Sequence, residues 1–582
     1  MIEPAQCATE SGVLADWILR PEQSDLARHF SSALGLHPAV SRILANRNLT
    51  CEATCREFLQ PTLTGLHDPF TMKDMDAAAD RIAYAVAHHE RIVIFGDYDA
   101  DGITSTALMV RGLRYLGADV QFYIPHRLLE GYGINLPALR LLKDQGAQLI
   151  ITVDTGISAI EAAAYCKEIG LPLVITDHHQ PAPGHPDCCA VVNPNRSDCT
   201  YPNKWLTGVG VAWKTLHAVM KTMGHDPANA RQFLTEHLDL VAIGTLADAA
   251  PPLGENRSMI SYGLQQAFRS INPGVQALVR AARATDRVTS QHTAFQIAPR
   301  LNAAGRTQHA SLAVDLLLAD SLGLARQIID QIDKCNQERK DTEARISAHC
   351  MQVALENPDD PILILSDPSW HLGVVGIVAS RVLDAFHKPV IILGEIDGLL
   401  KGSGRSHNSF NLHAALTAVA PCLKAFGGHP NAAGLSLLPG RLEEFREAMF
   451  DYARTQNFLA ASRKTLSIDT TVEAHELDAH FAGHLHSLEP FGQQNPFPLV
   501  LGRGYTLCAK PSVMKEKHLR LAVKQNGTAM AAVGFGMGHL AAELESVTEP
   551  IDIAFTPYMN TYGGIPRLEL EIKDLRWQQT EG

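Results

Sequence analysis

RIVIFGDYDADG, residues 91–102, opens on five residues suited to a buried strand and then sets Asp97, Asp99 and Asp101 at alternate positions. The order recurs downstream. LIITVDTG at 149–156 leads into Asp154, LPLVITDHH at 171–179 leads into Asp177, His178 and His179, and a further acid, Asp248, stands in LAD at 246–248. Helical stretches lie between the strand-like runs, which predicts an α/β fold with a parallel sheet. In such sheets ligands sit at the carboxyl ends of the strands, where these acids fall.

Asp97, Asp99 and Asp101 alternate with Tyr98 and Ala100, so no single strand or helix face explains their bunching. Carboxylates this close repel one another unless cations neutralise them. Oxygen donors with a minority of imidazole favour Mn²⁺ or Mg²⁺ over zinc, which prefers thiolate and histidine in tetrahedral sets. Two such ions about 3.5 to 4 Å apart would clamp the attacking and leaving oxygens of an in-line displacement and lower the pKa of bound water. The chemistry implied is phosphoester hydrolysis.

The 582 residues suggest three or four domains, and 46% apolar content can fill several cores. No stretch approaches about 18 uninterrupted apolar residues, and the first residues show no basic region followed by an apolar one. The expectation is a cytoplasmic protein without a membrane partner. The 11 cysteines form no paired CxxC units and read as reduced thiols. A net charge of −12 does not exclude a nucleic-acid partner, because about half a dozen of those charges would be cancelled by ions at the metal site.

Residues 1–70 read as an irregular helical lead-in, and MKDMDAAADRIAYAVAHH at 72–89 has helical periodicity with early aspartates. The segment from Ser311 to Leu355 carries Ile328, Ile332, Cys335, Arg339 and Ile346 at spacings of three, four or seven, as one connector helix would. A second strand-helix-strand pattern starts at Pro361. Beyond about residue 465 short alternating strands predict a small closed barrel.

The Asp177-His178-His179 triplet after a strand, with GDYDADG upstream, resembles the DHH phosphoesterase family. FGGHPNAAG at 426–434 is similar to that family's associated substrate-binding subdomain. WHLGVVGIVASR at 370–381, PRLNAAGR at 299–306 and LEPFGQQNP at 488–496 look like its single-strand nuclease branch. The family's phosphatases and pyrophosphatases place a histidine shortly before the paired aspartates, where this chain has Phe95 and Asp97. The resemblance therefore implies a nuclease.

It implies a DHH catalytic domain over 71–310, a connector helix over 311–358, a DHH-associated substrate-binding domain over 359–460 and an OB-like nucleic-acid-binding barrel over 461–582. The implied activity is a 5′ to 3′ exonuclease on single-stranded DNA in recombination and repair, a monomer helped by a helicase and a single-strand-binding protein. Carried over position by position, the metal ligands would be Asp97, Asp99, Asp101, Asp154, His178 and Asp248. Asp177 and His179 would join Asp154 and His178 in catalysis, shaping the surroundings of the ions or touching the scissile phosphate.

Other residues admit both a structural and a binding reading. Gly427, Gly428 and His429 could form a tight turn, yet with Ser403, Arg405 and Ser406 they suit a phosphate, glycine letting backbone approach and arginine gripping oxygens in pairs. His371 and Arg381 could be a helix cap and an exposed charge; the resemblance makes them strand contacts. Arg300, Asn302 and Arg306 read as a solvated loop or a backbone clamp. His126, Arg127 and Tyr132 follow a strand, where a ring and a guanidinium could stack on an unpaired base. On a barrel, Lys515, Lys517 and Arg520, with Lys510 and Lys524, would track phosphates. His480, His484 and His486 read as a solvated helical face rather than a zinc site. Two rivals remain, a small-substrate phosphodiesterase of the same family and a catalytically silent strand-binding scaffold.

Overall fold

Residues 15–127, 129–131, 133–182, 184–407, 410–456, 465–560 and 566–577 are described by this computed structural model. The first sheet has five parallel strands in the spatial order Val120–Tyr123, Ile92–Gly96, Leu149–Val153, Leu173–Thr176 and Ala190–Val192. Strand residues alternate between two cores, as a period of two demands. Ile92 and Ile94 face the cluster holding Ile103, Leu108 and Leu216, while Val93 and Phe95 face the one holding Leu139, Leu142 and Ala163. Because both faces are covered, these strands read as unbroken apolar runs. The first of these five strands in chain order lies between the second and the third, so the strand order reverses between Ile92–Gly96 and Leu149–Val153. A crevice opens at the carboxyl ends of those two strands.

The expected single connector helix from Ser311 is two helices, Ser311–Leu318 and Leu322–Glu356. The break is local chemistry: Ser321 is extended and its side chain accepts the Leu324 N–H, capping a helix of 35 residues, about 52 Å long at 1.5 Å per residue. That helix carries the chain to a mixed five-stranded sheet, ordered Ala425–His429, Ala432–Leu437, Leu399–Arg405, Val390–Ile396 and Leu363–Ser366. Helix Leu372–Phe386 packs between this sheet and Ile346, Cys350 and Ala354 of the long helix.

The C-terminal strands close into a ring. Val500–Leu507 pairs with Ile551–Asn560, that strand with Arg567–Arg576, then Thr528–Gly534, then His518–Gln525, which returns to Val500–Leu507. The helical lead-in expected over residues 1–70 packs, where it is described, against this barrel. Helices Ser24–Leu34, Pro38–Asn46 and Glu52–Leu59 bury Phe30, Ile43, Leu44 and Cys55 in the same core as Val500, Tyr505 and Phe555 of the barrel. Strand Asp16–Leu19 pairs in parallel with Thr465–Ile468, and Arg47 donates to both carboxylate oxygens of Asp469 at 2.9 and 2.7 Å. Partners more than 400 residues away leave no local pattern to read. Every described cysteine is a free thiol, and no described helix is long and apolar enough to cross a membrane.

Candidate active site

The acids of the site stand at strand ends or helix ends, Asp248 at the C-terminus of helix Leu238–Ala247. Asp99 caps helix Ala100–Tyr115, its Oδ1 accepting the N–H groups of Asp101 at 2.9 Å and Gly102 at 3.1 Å. Asn302 Oδ1 takes the next one, from Ala100, at 2.9 Å. Asp101 is buried in the first turn and reaches another helix start, accepting Gly208 N at 2.6 Å and Val209 N at 2.9 Å. Asp154 ends its strand at φ 61°, a left-handed conformation that aspartate tolerates better than most residues and that turns the carboxylate into the crevice. The chain passes so close there that a Cβ on Gly208 would lie 2.4 Å from Asp154 Cβ.

Asp177 is fully enclosed and fully occupied. Its Oδ1 accepts His178 N at 2.7 Å, His179 N at 3.1 Å and the His179 ring at 2.7 Å, and its Oδ2 accepts Ile157 N at 2.9 Å. It positions both histidines and offers no oxygen to the crevice. His178 Nε2 in turn stands 3.1 Å from Asp154 Oδ1, 3.7 Å from Asp101 Oδ2 and 3.8 Å from Asp248 Oδ2.

Asp97 Oδ1, Asp154 Oδ1 and His178 Nε2 are buried atoms without a hydrogen-bond partner. Their grouping fits a cation. Donor atoms converge within 4.8 Å in three overlapping sets: Asp97, Asp99 and Asp154; Asp101, His178 and Asp248; and Asp154, His178 and His179. Carboxylate oxygens with an imidazole suit Mg²⁺ or Mn²⁺. All six residues expected as ligands, and His179, fall in these sets.

The electrostatics agree. Burial and the neighbouring carboxylates push Asp97, Asp101 and Asp154 well above the ordinary range, and Asp248 up to about 7. Burial and the adjacent His179 lower His178 to about 4. His179 runs the other way: burial works against its charge, but Asp177, Asp248 and Asp97 raise it to about 9. Asp177 is held below the usual range because the histidines and Ile157 N–H outweigh burial. A cluster so short of positive charge is one that divalent ions stabilise.

A basic cavity of about 420 Å³ adjoins the crevice, lined by Arg127, Arg306, Lys401, Ser403, Arg405 and the start of helix Leu372–Phe386. The Arg127 guanidinium sits 4.9 Å from the ring centre of Tyr98, the residue between Asp97 and Asp99. Arg405 donates to Ser403 Oγ at 2.6 Å. Burial together with neighbouring guanidinium groups lowers Arg306 to about 10 and also depresses Arg405. Crowded cations are relieved by an anion.

The remaining expected residues divide. Arg306 lines the cavity, but Arg300 turns to Asp333 at 2.7 Å and Asn302 serves the helix cap, so that trio does not act as one clamp. His371 caps its helix by accepting Gly373 N at 3.1 Å, and Arg381 pairs with buried Glu343 at 2.7 Å. Ser406 is buried and donates to Phe410 O at 2.8 Å, whereas Gly427, Gly428 and His429 are exposed on the sheet's edge strand. Lys515, Lys517 and Arg520 lie on the barrel, and Tyr132 lies outside the described residues. His480, His484 and His486 form no metal-ready group among the described residues. Sequence reading missed Asn193 and Asn195, which donate to the carbonyls of His179 at 2.9 Å and His178 at 2.5 Å. An Asn-Pro-Asn turn was their only signal.

Comparison with known proteins agrees with this anatomy. The DHH family, N-terminal domain, matches residues 91–245, the DHHA1 domain 359–455 and the RecJ OB domain 468–574. The chain is 36% identical over 573 residues to the single-stranded-DNA-specific exonuclease RecJ of Bacillus subtilis, covering 96% of this chain and 71% of that one. It is 33% identical to the RecJ of Escherichia coli, covering 93% and 96%. The solved structure of RecJ with Mn²⁺ from Thermus thermophilus superposes with a TM-score of 0.82 at 29% identity, covering 97% of this chain and 80% of that one. A Mg²⁺ complex of the same protein gives 0.78.

Proposed function

The chain belongs to the RecJ family of single-stranded-DNA-specific exonucleases, and from that membership we propose that it hydrolyses single-stranded DNA from the 5′ end, releasing 5′-mononucleotides with Mn²⁺ or Mg²⁺. One observation carries the reading: the basic cavity and the carboxylate cluster meet at Tyr98, under Arg127. A terminal phosphate bears more charge than an internal one and would be gripped by Arg127, Arg306 and Arg405. The next phosphodiester then lies against the carboxylates, so each cut removes one nucleotide.

Asp97, Asp99, Asp101, Asp154, His178 and Asp248 would hold the ions. When bound, the metal supplies Lewis-acid polarisation of the phosphoryl group and a more acidic water. The chain's own share is positioning. Asp177 orients the His179 ring through Nδ1, and the imidazole would steady the departing 3′ oxygen. Asn193 and Asn195 hold the backbone of the histidine pair. The exposed Gly427-Gly428-His429 edge and the cations Lys515, Lys517 and Arg520 of the barrel would extend the grip along the strand. An enzyme confined to single strands depends on unwound DNA, which supports a helicase and a single-strand-binding protein as partners and the cytoplasm as its place.

Strands labelled at either end, a circular single strand and a blunt duplex, incubated with Mn²⁺ and either wild type or Asp154→Asn, test this. The expected result is immediate mononucleotide from the 5′ label, a shortening 3′-labelled ladder, intact circle and duplex, and an inert variant. A 3′ label released first would reverse the polarity, and a cut circle would refute the exonuclease.

A further inference from the structure

The loop from Asn193 to Thr207 wraps the histidine pair. Besides the two asparagines, the helix start at Gly208 and Val209, which follows the loop directly, holds Asp101. Lys204 staples the loop across itself, donating to Pro194 O at 2.6 Å and Cys199 O at 2.8 Å. Its large side chains Tyr201 and Leu206 are buried, yet Trp205 is 57% exposed.

A lone exposed aromatic needs no explanation by itself. What gives this one weight is its mounting. Trp205 N donates to Asn203 Oδ1 at 3.0 Å, and Trp205 O accepts from Asn256 Nδ2 at 2.6 Å. The same Asn256 amide reaches Pro251 O at 3.3 Å, three residues beyond Asp248. The backbone is therefore fixed on both sides, at the His178, Asp101 and Asp248 rim of the site. The basic cavity is linked to the site through Arg127, which overlies Tyr98 between Asp97 and Asp99.

We propose that Trp205 is a stacking platform for the unpaired base that follows the scissile phosphate, and so helps to select single strands. This rests on the exonuclease reading above. An indole has only two side-chain torsions and a broad π face, and it stacks on any base whose face is open. In a duplex those faces are occupied by neighbouring base pairs.

The test compares wild type, Trp205→Ala and Trp205→Phe on a 5′-phosphorylated oligonucleotide, intact or with one abasic residue at its second nucleotide. KM and kcat are measured with Mn²⁺, and tryptophan emission is followed on strand binding. Trp205→Ala should raise KM by roughly 5- to 100-fold and change kcat far less, and Trp205→Phe should recover most of the loss. The abasic residue should penalise wild type and add nothing to Trp205→Ala, a coupling that a merely structural role would not produce. The intact strand should quench wild-type emission more than that of Trp205→Phe. Equal KM values, or an abasic penalty of the same size in both proteins, would overturn the platform. Quenching and coupled binding without hydrolysis would instead sink the exonuclease reading and leave the platform standing.

Discussion

Asp154 Oδ1 and His178 Nε2 stand 3.1 Å apart, both are buried, and neither takes part in a hydrogen bond. In a folded interior such atoms are paired, so two of them facing one another mark the place where a cation belongs.

Replacing Asp154 by Asn should abolish turnover without unfolding the protein. It also removes one charge from a crowded set, so the metal-free variant should melt no lower than metal-free wild type. Mn²⁺ should raise the melting temperature of wild type and leave that of the variant almost unchanged. Calorimetry with and without chelator reads both, and an equal Mn²⁺ shift in the two proteins would contradict the assignment.

Gly208→Ala places a methyl group 2.4 Å from Asp154 Cβ and 2.6 Å from its Oδ1. Because that residue also feeds its N–H to Asp101, the clash should displace both carboxylates. We expect at least a hundredfold loss of activity with about 1 to 3 kcal/mol of stability, measured by single-strand turnover and urea unfolding.

Arg405→Ala should discriminate between strand ends. The cavity favours a doubly charged phosphate, so KM should rise roughly 10- to 100-fold on 5′-phosphorylated strands and much less on 5′-hydroxyl strands. Competition between the two substrates provides the ratio, and an unchanged ratio would remove Arg405 from recognition of the end.

His237 is buried, accepts Arg111 Nε at 3.1 Å and is lowered from 6.5 to about 4 by burial and that guanidinium. A depressed folded pKa contributes stability that is present above 6.5 and lost as pH falls toward 4. Between pH 7.5 and 5 wild type should lose about 2 kcal/mol relative to His237→Gln. Urea unfolding at the two pH values checks this, the other titrating groups being common to both proteins.

Arg47→Ala removes one of the two guanidinium partners of buried Asp469, leaving Arg20 at 3.2 Å, and should cost about 1 to 3 kcal/mol. The loss should appear as faster amide exchange in both helix Pro38–Asn46 and the barrel strands, since they share a core. Protection lost only in the helix would contradict the shared core.

Much of the molecule follows from local pattern. The runs at 91–95, 149–153 and 171–176 are apolar on both faces because each strand is covered on both sides, and that physics is written in consecutive residues. The acids at the strand ends were legible for the same reason, since a parallel sheet places its crevice there. Alternating short strands likewise announced the barrel.

What only the tertiary structure decided involves residues whose partners are remote. That Asp177 positions histidines while Asp154 faces the crevice depends on which oxygens are already taken by Ile157, His178 and His179. That Asn302 caps a helix and Arg306 lines the basic cavity depends on the chain returning to Ala100 and Gly373. The N-terminal helices join the barrel through pairs such as Arg47 and Asp469. Periodicity records the environment of a segment, whereas hydrogen-bond satisfaction and charge balance belong to neighbours that only folding brings together.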